Sequence, residues 1–143
     1  VHRSEHFVMV HGSLRIPESF YYIGSPWEAR PTFDSMAAFN LCFIGHTHIA
    51  EYYVRKIGEK GGDQIEMTNG GTIDLKHGFQ YIVNPGSVGQ PRDGNAQAAF
   101  AVYDTDAQTV EIRRIDYPIP ITQDKMRIAG LPDPLIARLE YGW

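Results

Sequence analysis

Three of the six histidines stand where a short apolar run meets a glycine. His11 follows Phe7-Val8-Met9-Val10 and precedes Gly12, while His46 and His48 flank Thr47 after Leu41-Cys42-Phe43-Ile44-Gly45. Neutral imidazole is the commonest protein ligand for zinc and related metals. In extended backbone, residues two apart project to one side, so His46 and His48 can face one point. Ligands of α/β sheets bind beyond the carboxyl ends of the strands, which is where all three rings would lie. His2, His6 and His77 lack that setting and read as surface or strand residues. Cys42, the only cysteine, sits inside an apolar run, whereas a reactive thiolate needs an exposed, electropositive setting. A single cysteine forms no internal disulfide, which fits a reducing, cytoplasmic compartment.

Bringing the three imidazoles together requires the two strands to lie side by side. Between them, Ser25-Pro26-Trp27-Glu28 is a helix start, with serine as N-cap, proline at the first helical position and glutamate closing a capping box. Pro31 limits or kinks that helix, and a second short helix is expected over residues 34–38. Strand, helix and strand then have the length of a parallel crossover. Past His48, strands are expected over residues 51–57, 65–68, 72–75, 79–83, 98–103 and 110–117. Asn69-Gly70-Gly71 is a tight-turn signal, residues 104–109 form a hairpin turn, and Asn84-Pro85-Gly86-Ser87-Val88-Gly89 is a glycine-rich loop. Helices are expected over residues 122–129 and from Asp133-Pro134, where Leu135, Ile136 and Leu139 form an apolar stripe. Residues 1–143 read as a single α/β unit with a mixed sheet.

Composition narrows the function classes. Thirteen basic and 17 acidic residues give a net charge of −4, and the basic residues are scattered. A nucleic-acid-coating surface usually needs a clustered basic face, so no nucleic acid is expected. No apolar stretch approaches a membrane span and no signal peptide opens the chain, so no membrane is expected either. The chain starts at Val1 and enters its first strand almost at once, which reads as entry into the middle of a fold.

Val10-His11-Gly12-Ser13, Gly45-His46-Thr47-His48 and Asn84-Pro85-Gly86-Ser87-Val88-Gly89-Gln90-Pro91-Arg92, in that order, resemble the second half of a calcineurin-like metallophosphoesterase. Gly130-Leu131-Pro132 and the closing stretch from Ala137 to Trp143 resemble the tail of a bacterial branch with phosphatase-type substrates. The resemblance implies the C-terminal part of a four-layer α/β/β/α sandwich. It also implies two divalent metal ions (manganese, iron, zinc or similar) and attack on a phosphoester by a metal-bridging hydroxide. Two cations lower the pKa of bound water and stabilise the attacking and leaving oxygens. By position, His11 and His46 would bind one metal and His48 the other. Asn84 to Gly89 would form a turn beside the site, structural or in contact with substrate.

Arg92 and Arg15 are the basic residues nearest these loops, and each is either a bidentate phosphate clamp or a solvent-facing arginine. Phe20, Tyr21 and Tyr22 either line a substrate entrance or pack in the core. The family's first half carries Asp-x-His, Gly-Asp-x-x-Asp and Gly-Asn-His segments that supply the carboxylates and the other ligands, and none occurs here. Gly62-Asp63-Gln64-Ile65-Glu66 and Gly94-Asn95-Ala96 are decoys. Three imidazoles leave two divalent charges uncompensated. The expectation is therefore a phosphoesterase when joined to a missing N-terminal half, with the chain alone inactive. Two alternatives are a catalytically silent half-domain or interaction scaffold, and a mononuclear three-histidine zinc hydrolase.

Overall fold

The structure, a computed structural model, describes residues 1–143. Its strands are β1 (His2–Arg3), β2 (Val8–Met9), β3 (Leu41–Phe43), β4 (Ala50–Lys56), β5 (Asp63–Glu66), β6 (Gly71–Asp74), β7 (Phe79–Pro85), β8 (Ala98–Asp104) and β9 (Thr109–Ile115). Six of them form a mixed sheet in the order β1-β2-β3-β7-β4-β5. Here β2, β3 and β7 run parallel, while β1, β4 and β5 pair antiparallel. The other three form an antiparallel sheet, β6-β9-β8.

Strands β3 and β7 are buried on both faces and mostly apolar, with Gln80 and Asn84 the buried polar residues of β7. Cys42, Ile44 and Ile82 join Val8, Val10 and Tyr53 on one face; Leu41, Tyr81 and Val83 join Ala50 on the other. The first face is covered by helix α1 (Pro26–Ser35) through Ala29 and Phe33, with Met36 beside them. The second is covered by the small sheet through Ile73, Val110 and Ile112. The resulting order of helix, sheet and sheet gives the α/β/β layers of the expected sandwich. Burial pushes the Cys42 thiol up to about 12, so it is an inert core residue, as its apolar surroundings predicted.

Helix α1 starts as its sequence dictates. Glu28 N–H donates to Ser25 Oγ at 3.3 Å, and the Glu28 carboxylate accepts from Gly24 N–H and Ser25 O–H at 2.9 and 3.0 Å. Pro31 does not split it: one helix runs through the proline to Ser35, and no second helix occupies residues 34–38. Proline removes one backbone donor and crowds the carbonyl four residues back, here that of exposed Trp27 in the first turn. Ala29, Thr32 and Phe33 all bury on one face, and that packing outweighs the local defect.

The turn at Asn69-Gly70-Gly71 exists, with Gly70 N–H donating to the Met67 carbonyl at 2.7 Å. It sends β5 and β6 into different sheets rather than pairing them. Helices α2 (Ile119–Ile128) and α3 (Asp133–Ala137) follow β9, and a 3₁₀ turn spans Arg138–Glu140. Helix α2 thus begins earlier than its sequence suggested. No helix is long and apolar enough to cross a membrane.

Candidate metal centre

The carboxyl ends of β2 and β3 bring the histidine loops together. Gly45 N–H donates to the His11 carbonyl at 2.9 Å, fastening one loop to the other. The loop after His11 lies against the backbone of residues 20–21, where a Cβ on Gly12 would stand 2.8 Å from the Tyr21 carbonyl oxygen. That approach is open only to glycine. Buried Thr32 of α1 anchors the same loop, its Oγ1 bonding Leu14 N–H and Ser13 Oγ, each at 3.1 Å.

The second loop is braced from below. Asn84, fully buried at the end of β7, donates from Nδ2 to Thr47 Oγ1 at 2.7 Å and to the Gly45 carbonyl at 3.1 Å. Its Oδ1 accepts from Gly86 N–H at 3.1 Å. The Asn84–Gly89 segment therefore shapes the histidine loop through side-chain hydrogen bonds, which supports the structural reading of that turn.

His46 and His48 are not in extended backbone. Both are left-handed, with φ of 73° and 63°, so the geometry of an extended strand does not apply, and the two rings meet different partners. His46 turns toward His11, and its Nδ1 lies 3.0 Å from His11 Nε2. Two nitrogens bound to one tetrahedral ion at about 2.0–2.1 Å would stand roughly 3.3 Å apart, so this pair need only part by a few tenths of an ångström to admit a cation. His48 turns the other way. Its Nδ1 donates to the Gln90 carbonyl at 2.8 Å, so in the neutral ring Nε2 is the nitrogen with the open lone pair. A backbone acceptor on one ring nitrogen is the usual means of orienting a metal-binding histidine. No group of three or more His, Cys, Asp or Glu side chains converges as a set. Burial, followed by electrostatic repulsion from the neighbouring His11, His48 and Arg92, lowers the His46 pKa below the ordinary imidazole value, against an opposing hydrogen bond with the Phe20 backbone.

The two arginines have different surroundings. Arg92 donates from Nε and Nη2 to Gln90 Oε1 at 3.1 and 2.8 Å, and its backbone N–H donates to the His48 carbonyl at 3.0 Å. It is thus a partly buried cation tied to the His48 side of the site. Arg15 is exposed and lines a cleft with Tyr21, Tyr22 and Trp27. Phe20, Tyr21 and Tyr22 are more than half exposed and so are not core residues. Tyr22 stacks on His46 with centroids 3.9 Å apart, and Phe20 lies 5.8 Å from His11. His2, His6 and His77 are exposed, as their setting implied.

Sequence reasoning missed the brace from Asn84 and the stacking by Tyr22. The first had a legible signal, an asparagine directly before the Pro-Gly turn. The second had none, because the contact depends on how residues 12–22 fold back.

No family model matches the chain. An uncharacterized protein of Methanocaldococcus jannaschii is 37% identical over 103 residues, which cover 72% of this chain and 40% of that protein. The crystal structure of a metallophosphoesterase from Sphaerobacter thermophilus superimposes with a TM-score of 0.83 at 37% identity, over 99% of this chain and 57% of that one. A hypothetical protein from Pyrococcus horikoshii OT3 shares the fold, with a TM-score of 0.65 at 18% identity over 96% of this chain and 46% of its own. The chain thus spans about half the length of the proteins it matches. With the histidine loops in place on that fold, the chain is related to the calcineurin-like metallophosphoesterases.

Proposed function

We propose that these residues form the C-terminal part of a metal-dependent phosphoester hydrolase. The observation that carries this reading is the 3.0 Å approach of His11 Nε2 and His46 Nδ1, with His48 Nε2 left free by the Gln90 carbonyl. His11 and His46 would hold one divalent ion and His48 a second. Divalent ions in such a pair supply Lewis-acid stabilisation of the phosphoryl oxygens and a nucleophilic water at neutral pH. Arg92, held beside the site by its backbone bond to the His48 carbonyl, would supply a cation for a phosphoryl oxygen. Tyr22 shields one face of His46 from water. The remaining, anionic ligands would come from a preceding part of the same domain. Support for that is the share of the Sphaerobacter metallophosphoesterase that this chain spans, 57%.

The test uses the full-length protein and His46→Gly, a change that deletes the imidazole while tolerating the left-handed backbone. Manganese-stimulated hydrolysis of a generic phosphomonoester should fall by at least about 10²-fold, the loss expected when a group central to transition-state stabilisation goes. Unchanged turnover would sink the proposal. Metal analysis separates it from a silent scaffold: a full-length protein that binds no divalent ion would favour the scaffold.

A further inference from the structure

Beside the histidines lies a cleft of about 260 Å³ lined by Ser13, Arg15, Tyr21, Tyr22, Trp27 and Pro31. Its aromatic walls are open to water: Tyr21 and Tyr22 are each 56% exposed and Trp27 is 76% exposed. Isolated exposed aromatics are common, but here two tyrosines and a tryptophan border one cleft, and one of them also touches a proposed metal ligand. The polar groups around it are largely engaged. Ser13 pairs with Thr32, and Glu28, which also borders the cleft, accepts from Gly24 and Ser25. Arg15 has no ion-pair partner. The backbone that presents these rings is strained: Phe20, a bulky residue, holds a left-handed φ of 49° where the backbone of Phe20 and Tyr21 packs against Gly12. Strain of this kind collects where a segment serves a site.

We infer that this cleft is a specificity subsite for a flat aromatic ring on the organic group of the phosphoester, reached past the Tyr22 ring. The inference rests on the hydrolase reading above. The volume is below the roughly 300–1,000 Å³ of pockets that enclose a whole ligand, so it suits one group of a larger substrate. Tyr22 belongs to both places, stacking on His46 and lining the cleft, whereas His46 does not line it. A substrate with its phosphoryl group at the histidines must therefore reach past the Tyr22 ring, which calls for a spacer before the aromatic ring. Rings stack on tyrosine and tryptophan whatever their hydrogen-bonding edge, and Arg15 adds a cation to the cleft wall.

Adenosine 5′-monophosphate and ribose 5-phosphate share the phosphorylated ribose and differ at C1′, adenine against a hydroxyl, so they make the direct comparison. In the manganese-loaded full-length protein, kcat/KM for the adenosine ester should exceed that for the ribose ester by about tenfold or more. Trp27→Ala should collapse that ratio toward one, and Trp27→Phe should restore part of it. Trp27 is so exposed that neither change threatens folding. Equal kcat/KM values for the two esters, or a ratio unmoved by Trp27→Ala, would overturn the assignment. Calorimetric binding of the same two compounds gives a readout independent of turnover. If neither is hydrolysed but the adenosine ester still binds tighter in a Trp27-dependent way, the subsite stands and the hydrolase reading fails alone. Equal binding without hydrolysis overturns both.

Discussion

The left-handed backbone of His46 and His48 is the residue-scale feature that divides the imidazoles between two directions. Left-handed geometry costs an L-residue about 1–2 kcal/mol, and histidine is among the few types that visit it with any frequency. The hydrogen bonds from Asn84 to Gly45 and Thr47 hold the loop in that state. A second residue-scale cost lies deeper. Glu51 is buried, with the Tyr53 hydroxyl and the Gln64 amide donating to its carboxylate at 2.9 and 2.6 Å. Burial raises its pKa more than those bonds lower it, and the nearby Glu66 and Asp93 add to the rise. The folded state then holds this proton more tightly than the unfolded chain. Stability therefore falls as pH rises from the ordinary glutamate value through the raised one. Glu51→Gln removes the titration while keeping the shape. Urea unfolding should show the variant more stable than the wild type at about pH 8, with the two converging near pH 4. A gap of equal size at both pH values would assign the effect to something other than this carboxyl.

At the scale of elements, the two sheets meet at the turn after β7. Gly86 has φ of 88°, and a Cβ there would stand 3.0 Å from the Ala99 Cβ on β8 and 3.2 Å from the Ala50 Cβ on β4. Neither methyl can rotate away. Gly86→Ala should lower stability by about 2 kcal/mol or more, from left-handed strain plus overpacking, seen as a lower thermal midpoint. Elements governed by local chemistry were legible from sequence: the Ser25–Glu28 cap, the β8–β9 hairpin, and the apolar runs that became β3 and β7. Where distant packing decides, they were not. Pro31 reads locally as a break, but Ala29, Thr32 and Phe33 carry α1 through it. An alternating pattern names a strand without naming its sheet, so nothing local sends β5 and β6 to different sheets. The site follows the same division. His11, His46 and His48 were marked by strand ends and glycines, whereas their backbone angles and the stacking of Tyr22 come from contacts made by remote residues.

On the scale of the whole molecule, one buried ion pair joins the loop below the site to the second sheet. Asp93 accepts from Arg114 on β9 and from Ala50 N–H at the start of β4, and both charged side chains are almost fully buried. Arg114 also donates to the Gln97 carbonyl at 3.2 Å. Removing one partner leaves the other charge stranded, so Asp93→Ala should cost about 3–5 kcal/mol in urea unfolding. Asp93→Ala combined with Arg114→Leu should recover part of that loss, because it is the unpaired charge that is expensive. If the double variant is no more stable than the single, the hydrogen bond to Ala50 carries the effect instead.

Strand β7 stands between β3 and β4, which precede it in the chain and never pair with each other. Without β7 the large sheet is two separate pieces, β1 to β3 on one side and the β4–β5 hairpin on the other. They become one structure only when residues 79–85 slot between them. Closing that gap requires contacts far apart in sequence, the kind that slow folding because loop entropy is lost before the contacts form. The same strand ends in Asn84, so the step that completes the sheet also locks the histidine loop. Time-resolved refolding should then show the histidine loop ordering in the same phase that completes the large sheet.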